Sequence, residues 1–281
     1  MNKLFEDIIS EFTSGEISHK TDYISTGYES INHLLGGFQP GKLIVIGGRP
    51  AMGKTTLVLN MMMKEVMQQI PAAYFSLDAN EREIALKMIS MSGNIPFSLL
   101  NDFSDSNVRS QVLNCILDLK DASLNVECNP LFNIHSLEER IKESVVDGGM
   151  KIVYIDSLQL LAYNDERTDH DTFGEVCIRL KKLAVELNIP IVLLSGLNRQ
   201  TENREGLEGK IPQISDLYGS SKIEELADVI LMVYRPAYYH IYEDIDGTDL
   251  RNRFCLYVLK HKNRPVGSID MTFHAETLSI H

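Results

Sequence analysis

The run Gly48-Arg49-Pro50-Ala51-Met52-Gly53-Lys54-Thr55 fits the pattern GxxxxGK[ST], and its flanks restrict what the chain can fold into. An apolar strand pattern, Leu43-Ile44-Val45-Ile46, precedes it, and a helical pattern from Thr56 to Met63 follows. Strand, glycine loop and helix in that order cradle an anion, because the loop N–H groups point inward and the helix N-terminus adds partial positive charge. Gly48 and Gly53 let the backbone approach closely. Lys54 is placed to reach the β- and γ-phosphates of ATP, and Thr55 to hold Mg²⁺ through its hydroxyl. Arg49, Pro50, Ala51, Met52 and Thr56 complete the candidate nucleotide contacts. A chance glycine turn before a helix would not require both flanks.

The rest of the chain repeats that alternation. Strand-length apolar runs occur at Leu43–Gly47, Ala72–Leu77, Leu124–Cys128, Ile152–Asp156, Ile191–Ser195, Val229–Tyr234, Phe254–Leu259 and Ile269–Phe273. Helical patterns fall at Lys54–Gln68, Glu81–Ser92, Val108–Leu119, Ser136–Val146 and Thr172–Leu187. Such a sequence predicts an α/β fold with a mostly parallel sheet buried on both faces. The last two runs flank Asn263-Arg264-Pro265-Val266-Gly267 and read as an antiparallel hairpin. With 281 residues and 44% hydrophobic content, one large core is expected. The stretch from Asn198 to Ser221 has no clear element, and so long a loop is more often functional than idle.

Two carboxylates belong with the phosphate loop. Lys151-Ile152-Val153-Tyr154-Ile155-Asp156 is an apolar strand ending in an acid that can orient Mg²⁺. Phe75-Ser76-Leu77-Asp78 ends another strand, and Asp78 can position the hydrolytic water or cap the helix beginning near Asn80. The two roles are compatible.

Composition closes several other routes. The formal net charge is −12, so contact with nucleic acid has to come from a local cluster of cations. Cys115, Cys128, Cys177 and Cys255 lie far apart with no ligand-spaced histidine, which argues against disulfides or zinc and fits a reducing cytoplasm. No apolar run approaches the ~18 residues of a membrane helix. Met61, Met62 and Met63 read as core. Residues 3–13 place Leu4, Phe5, Ile8, Ile9 and Phe12 on one helical face, and a polar tether follows. We therefore expect residues 1–20 to form a linker-like helix and tether, and residues 21–281 the main domain. The helix either folds back on its own domain or docks on a neighbour.

Taken in order, these motifs resemble the C-terminal motor domain of DnaB-type replicative helicases. The resemblance rests on Thr26-Gly27-Tyr28, Gly36-Gly37-Phe38-Gln39-Pro40-Gly41, the phosphate loop, Ile155-Asp156-Ser157-Leu158-Gln159-Leu160, Leu194-Ser195-Gly196-Leu197-Asn198-Arg199, Ala227-Asp228-Val229-Ile230, Tyr234-Arg235 and Lys260-His261-Lys262-Asn263. It covers about Thr21 to His274. It implies a RecA-like ATPase that assembles as a ring, a hexamer in the family, on single-stranded DNA alongside other replication proteins. It also implies a chain without the large domain that precedes the linker helix in the family. ATP sites would lie between subunits, with Lys54, Thr55 and Asp156 from one protomer and Lys260 and Lys262 from the next. From the residues alone, those two lysines read as a solvated edge hairpin. The resemblance places Arg235 near the nucleotide base, where the alternative is packing on its own sheet.

Several positions depart from the family pattern. Asp78 stands where Glu is usual, which withdraws the carboxylate by one methylene and implies slow hydrolysis. Lys262 replaces an arginine finger with a point charge that cannot form a bidentate contact. Gly196 replaces a glutamine that senses the γ-phosphate. Tyr218 replaces the expected pore-loop arginine, leaving Arg199, Arg204, Lys222 and the backbone around Gly219 as DNA-contact candidates. Acidic residues outnumber basic ones there, so weak phosphate binding is expected. Together the departures admit a second reading, a catalytically weakened relative that binds ATP as an assembly or regulatory switch.

Overall fold

The computed structural model describes residues 23–101, 104–165, 172–204 and 206–281. The expected N-terminal helix at 3–13 therefore lies outside the described residues. The chain runs α1 (Glu29–Leu35), β1 (Leu43–Gly48), α2 (Lys54–Met67), β2 (Ala72–Ser76), α3 (Glu81–Gly93), α4 (Ser106–Leu119), β3 (Leu124–Cys128), α5 (Ile134–Val146), β4 (Ile152–Asp156), α6 (Leu158–Tyr163), α7 (Thr172–Leu187) and β5 (Ile191–Gly196). After an irregular segment come α8 (Ser220–Leu226), β6 (Val229–Tyr234), β7 (Arg253–His261), β8 (Gly267–His274) and β9 (Ser279–Ile280).

The strands form one sheet in the order β3-β2-β4-β5-β1-β6-β7-β8-β9. The first six are parallel, while β7, β8 and β9 close one side antiparallel. Alternating side chains divide between two cores. Ile44, Ile46, Tyr154 and Leu194 face α1, α2 and α3, while Val45, Val153, Ile155 and Leu193 face α5, α6 and α7. Coverage on both faces is why these strands read as unbroken apolar runs. Among the described residues no helix is long and apolar enough to cross a membrane.

The predicted strands and long helices all appear, with ends moved by a few residues. The short elements were not visible in the pattern. α1 has no side-chain cap at Tyr28 and is held by burial of Ile31 and Leu35. α6 and α8 likewise depend on tertiary packing, since helices this short are marginal alone. The Asn198–Ser221 stretch contains single turns at Gln200–Asn203 and Gly206–Gly209 and a tighter turn at Ile214–Asp216. A Leu197–Leu217 bridge closes it.

One polar pair lies inside the first core. Glu65 of α2 is fully buried and accepts from the Tyr154 hydroxyl at 2.7 Å. Its second oxygen has no partner among the described residues. Burial pushes the Glu65 carboxyl from 4.5 up to about 8, against a smaller opposing effect from the Tyr154 hydrogen bond. A neutral acid therefore sits beneath the phosphate-loop helix. The folded state keeps this proton where the unfolded chain loses it, so the stability it contributes is complete below pH 4.5 and lost as pH rises toward about 8. Glu65→Gln is expected to remove that loss, gaining on the native chain by up to about 1.4 kcal/mol per pH unit across this window. Denaturant unfolding of both proteins at several pH values checks this, and parallel curves would contradict it.

Candidate active site

β1 and β4 end on the same edge of the sheet, and the chemistry-bearing residues gather there. Gly48 closes β1 beside Gly196 of β5, and Ser76 of β2 pairs with Asp156 of β4. The loop then turns through Ala51 at φ 59° and Gly53 at φ 103° into α2. At Gly53 a Cβ would also meet Phe254 at 3.0 Å, so both conformation and space call for glycine. Lys54 Nζ donates to the Gly48 carbonyl at 2.8 Å and the Arg49 carbonyl at 3.2 Å. Burial lowers the Lys54 pKa, with Asp156 and Asp78 opposing the shift.

Thr55 Oγ1 donates to Asp156 Oδ2 at 2.6 Å, and the buried Tyr74 hydroxyl donates to the same oxygen at 2.9 Å. Sequence reading missed Tyr74, since only the β2–β4 register brings it opposite Tyr154 and beside Asp156. Asp78 is exposed at the same edge, and its carboxylate makes no hydrogen bond or ion pair among the described residues. Asn80, not Asp78, caps α3, accepting from Glu83 N. The capping alternative for Asp78 is thereby corrected: Asn80 is the residue adjoining the first helical turn.

Other members of the loop point elsewhere. Met52 is buried in the core, and Pro50 and Ala51 are exposed. Thr56, the third residue of the helix, is half-buried. The Arg49 guanidinium turns away from the cradle, donating to the Leu197 carbonyl at 2.7 Å and pairing with Glu202. Gly196 N donates to Gln159 Oε1 at 2.8 Å, and Gln159 Nε2 to Ser195 Oγ at 3.1 Å. The Gln159 amide thus occupies the space beside Gly196.

Arg235 follows β6 and stacks on Phe273, with its guanidinium carbon 4.1 Å from the ring centre. Phe273 in turn adjoins Phe254, which borders Gly53. Arg235 thus packs on its own sheet while standing two rings from the phosphate loop. Its Nε is buried with no hydrogen-bond partner among the described residues, and burial lowers its pKa.

Lys260 and Lys262 lie at the opposite edge. His261 pairs with Val229, the first residue of β6, whereas the phosphate loop follows the far end of the neighbouring β1. Five residue steps of about 3.3 Å separate those edges, roughly 17 Å. Lys260 donates to the Glu224 carbonyl and, at 2.7 Å, to that of Ala227. Lys262 lies 3.1 Å from Asp228, which also holds Lys181 at 2.5 Å and the Leu43 N–H at 2.9 Å. Burial alone would raise the Asp228 carboxyl, but these partners hold it below its ordinary value.

Two of the DNA-contact candidates lie beside acids. Arg204 pairs with Asp216 at 2.7 Å, Lys222 sits 3.9 Å from Glu225, Arg199 is exposed, and Gly219 adopts φ 70°. Tyr218 stacks on Phe173 at 6.3 Å.

Residues 23–281 match the family model described as the DnaB-like helicase C terminal domain. The chain belongs to this family. A replicative DNA helicase DnaB from Treponema pallidum is 31% identical over 255 residues, covering 90% of this chain and 54% of the relative. A probable replicative DNA helicase from Trieres chinensis is 30% identical, covering 97% and 60%. The chain thus spans about half to three fifths of the curated relatives it matches. The solved ATPase domain of G40P superposes with a TM-score of 0.85 at 24% identity, covering 98% of this chain and 97% of that one. A DnaB-like replicative helicase, solved in a study of its interactions with primase, gives 0.85 at 23%, covering 100% and 66%. These likenesses establish the RecA-like fold.

Tyr74→Phe removes the buried donor to Asp156. It is expected to cost about 1.5–3 kcal/mol of unfolding free energy, the range for hydrogen bonds to charged groups. Chemical denaturation measures the loss, and an unchanged midpoint would contradict it.

Proposed function

We propose that this DnaB-like domain is the ATP-hydrolysing motor of a ring, a hexamer by family likeness, that moves on single-stranded DNA during replication in the cytoplasm. The observation that carries this reading is the division of cations between the two edges of one sheet: Lys54 with Thr55 and Asp156 on one, Lys260 and Lys262 on the other. A head-to-tail ring brings those edges together and completes a site that neither has alone. In this reading residues 21–281 form the motor domain and residues 1–20 its linker.

The cradle fits a magnesium triphosphate. A Cβ on Gly48 would come within 3.1 Å of the Lys54 side chain, so glycine there lets the lysine stem pass close beside the loop backbone. Thr55 and Asp156, already 2.6 Å apart, supply the hydroxyl and the carboxylate that would hold Mg²⁺. The metal's contribution is to neutralise charge on the phosphate oxygens. Lys54 leaves its two carbonyl contacts to bind the β- and γ-phosphates, and its partial burial strengthens that attraction. Asp78 accepts a hydrogen bond from the water that attacks the γ-phosphorus as the bond to the β–γ bridging oxygen breaks. Arg235 supports the base from the Phe273 side. Lys260 and Lys262 of the neighbour stabilise the charge on the transferring group, and their release from Glu224, Ala227 and Asp228 accompanies ring closure.

On the DNA side, Arg199, Arg204, Lys222 and the backbone at Gly219 are the proposed contacts. Arg204 must leave Asp216 to act, so affinity for phosphate is modest. The primase interactions studied for one solved relative point to replication proteins as further partners.

A second reading, an ATP-binding switch with little turnover, is favoured by one arrangement. Gly196 offers no side chain to a γ-phosphate, and Gln159 is tied to Ser195 and to the Gly196 amide instead. Steady ATP turnover stimulated by single-stranded DNA and abolished in Lys54→Ala excludes the switch. Turnover that ignores DNA, with only monomers by mass measurement, excludes the motor.

The shared site makes a sharper claim. Lys54→Ala and Lys262→Ala are each expected to lose at least about 10²-fold in turnover, Lys54 as the cation on the phosphates within its own protomer and Lys262 by comparison with the roughly 10³–10⁵ range for an arginine supplied in trans. Mixing the two inactive proteins is expected to restore part of it, because some interfaces then combine an intact Lys54 with an intact Lys262. A mixture that stays inactive would place both lysines in one protomer's site.

A further inference from the structure

We infer that Arg49 and Glu202 form a link through which occupation of the phosphate loop repositions the segment 197–217, making Arg49 a positioning residue. The inference rests on the ATP-binding reading above. Arg49 is only 8% exposed, although it lies in a surface loop. Its guanidinium donates to the Leu197 carbonyl, immediately after β5, and to the Glu202 carboxylate. The planar fork of a guanidinium holds both partners in fixed directions, and burial strengthens both bonds.

The same residue is attached to the cradle at its main chain. The Arg49 carbonyl accepts from Lys54 Nζ, the ammonium that a triphosphate would recruit. Phosphate and carbonyl compete for one cation, so loading the loop frees the carbonyl of the very residue whose side chain grips 197 and 202.

The far side of the link is tied together by several bonds. Asn198 N donates to the Asp216 carbonyl at 2.7 Å, and Arg204 bridges to the Asp216 carboxylate at 2.7 Å. Lys210 closes back on the Glu202 carbonyl at 2.7 Å. A displacement at Glu202 therefore reaches Leu217 without stretching a flexible chain. β5 offers no competing side-chain route, because Gly196 has none and the Gln159 amide holds its N–H.

Hydrogen exchange on the full chain, with and without a non-hydrolysable ATP analogue and Mg²⁺, tests this. In the native protein the analogue is expected to change amide exchange across 198–217 by several-fold. Glu202→Gln is expected to bind the analogue within about twofold of the native affinity while losing most of that change, and Glu202→Asp to recover part of it. A Glu202→Gln protein that keeps the full response, or a native protein that binds the analogue with no change in this segment, overturns the link. A native protein that binds no analogue overturns the ATP reading itself, and the link with it.

Discussion

The hydrogen bond from Thr55 to Asp156 joins residues 101 positions apart, and the arrangement of the site follows from it. It forms because β1 and β4 lie one strand apart, separated by β5, and run parallel toward the same edge. A slip of one residue in either register would turn Asp156 to the other face of the sheet. Tyr74 adds a second tie to the same oxygen from β2. The buried strand pairings therefore do two things: they assemble the core, and they fix the Thr55 hydroxyl and the Asp156 carboxylate within hydrogen-bond reach beside the glycine loop.

Parallel strands also decide what this edge cannot contain. Their carboxyl ends all meet the phosphate loop, while β7 returns antiparallel and delivers Lys260 and Lys262 to the other edge. Within one protomer those lysines find substitute partners, the carbonyls ending α8 and the buried Asp228. Ammonium groups suit the end of a helix, where carbonyls lack internal partners. In the proposed ring these contacts are the ones the two lysines exchange for a neighbour's phosphate.

Most of the frame was legible in the sequence, for a physical reason. Strands buried on both faces must be apolar throughout, so β1, β2, β4, β5 and β6 stood out, and the glycine loop located the anion site between two of them. Helices such as α1 and α6 were invisible because tertiary burial holds them and their own pattern is too short. The side-chain partners were equally hidden. Arg49 sits inside a phosphate-binding motif and yet faces Leu197 and Glu202. Asp78 looked like a possible helix cap until Asn80 was found capping α3. Motif spacing constrains where a residue's backbone lies; the direction of a long side chain depends on neighbours that the motif does not contain.

The departures from the family pattern acquire a common meaning from this geometry. At Gly196 the lost side chain leaves a gap that Gln159 fills, and at Lys262 the point charge is held by an acid already balanced by Lys181. Asp78, by contrast, is shortened with nothing replacing the missing methylene, and its carboxylate stays open to solvent. Two changes are therefore absorbed by the surrounding structure, and one falls directly on the group proposed to orient water. Under the proposed function, nucleotide binding draws on Lys54, Thr55 and Asp156, which are all in place, and the shortened Asp78 bears on the hydrolytic step alone.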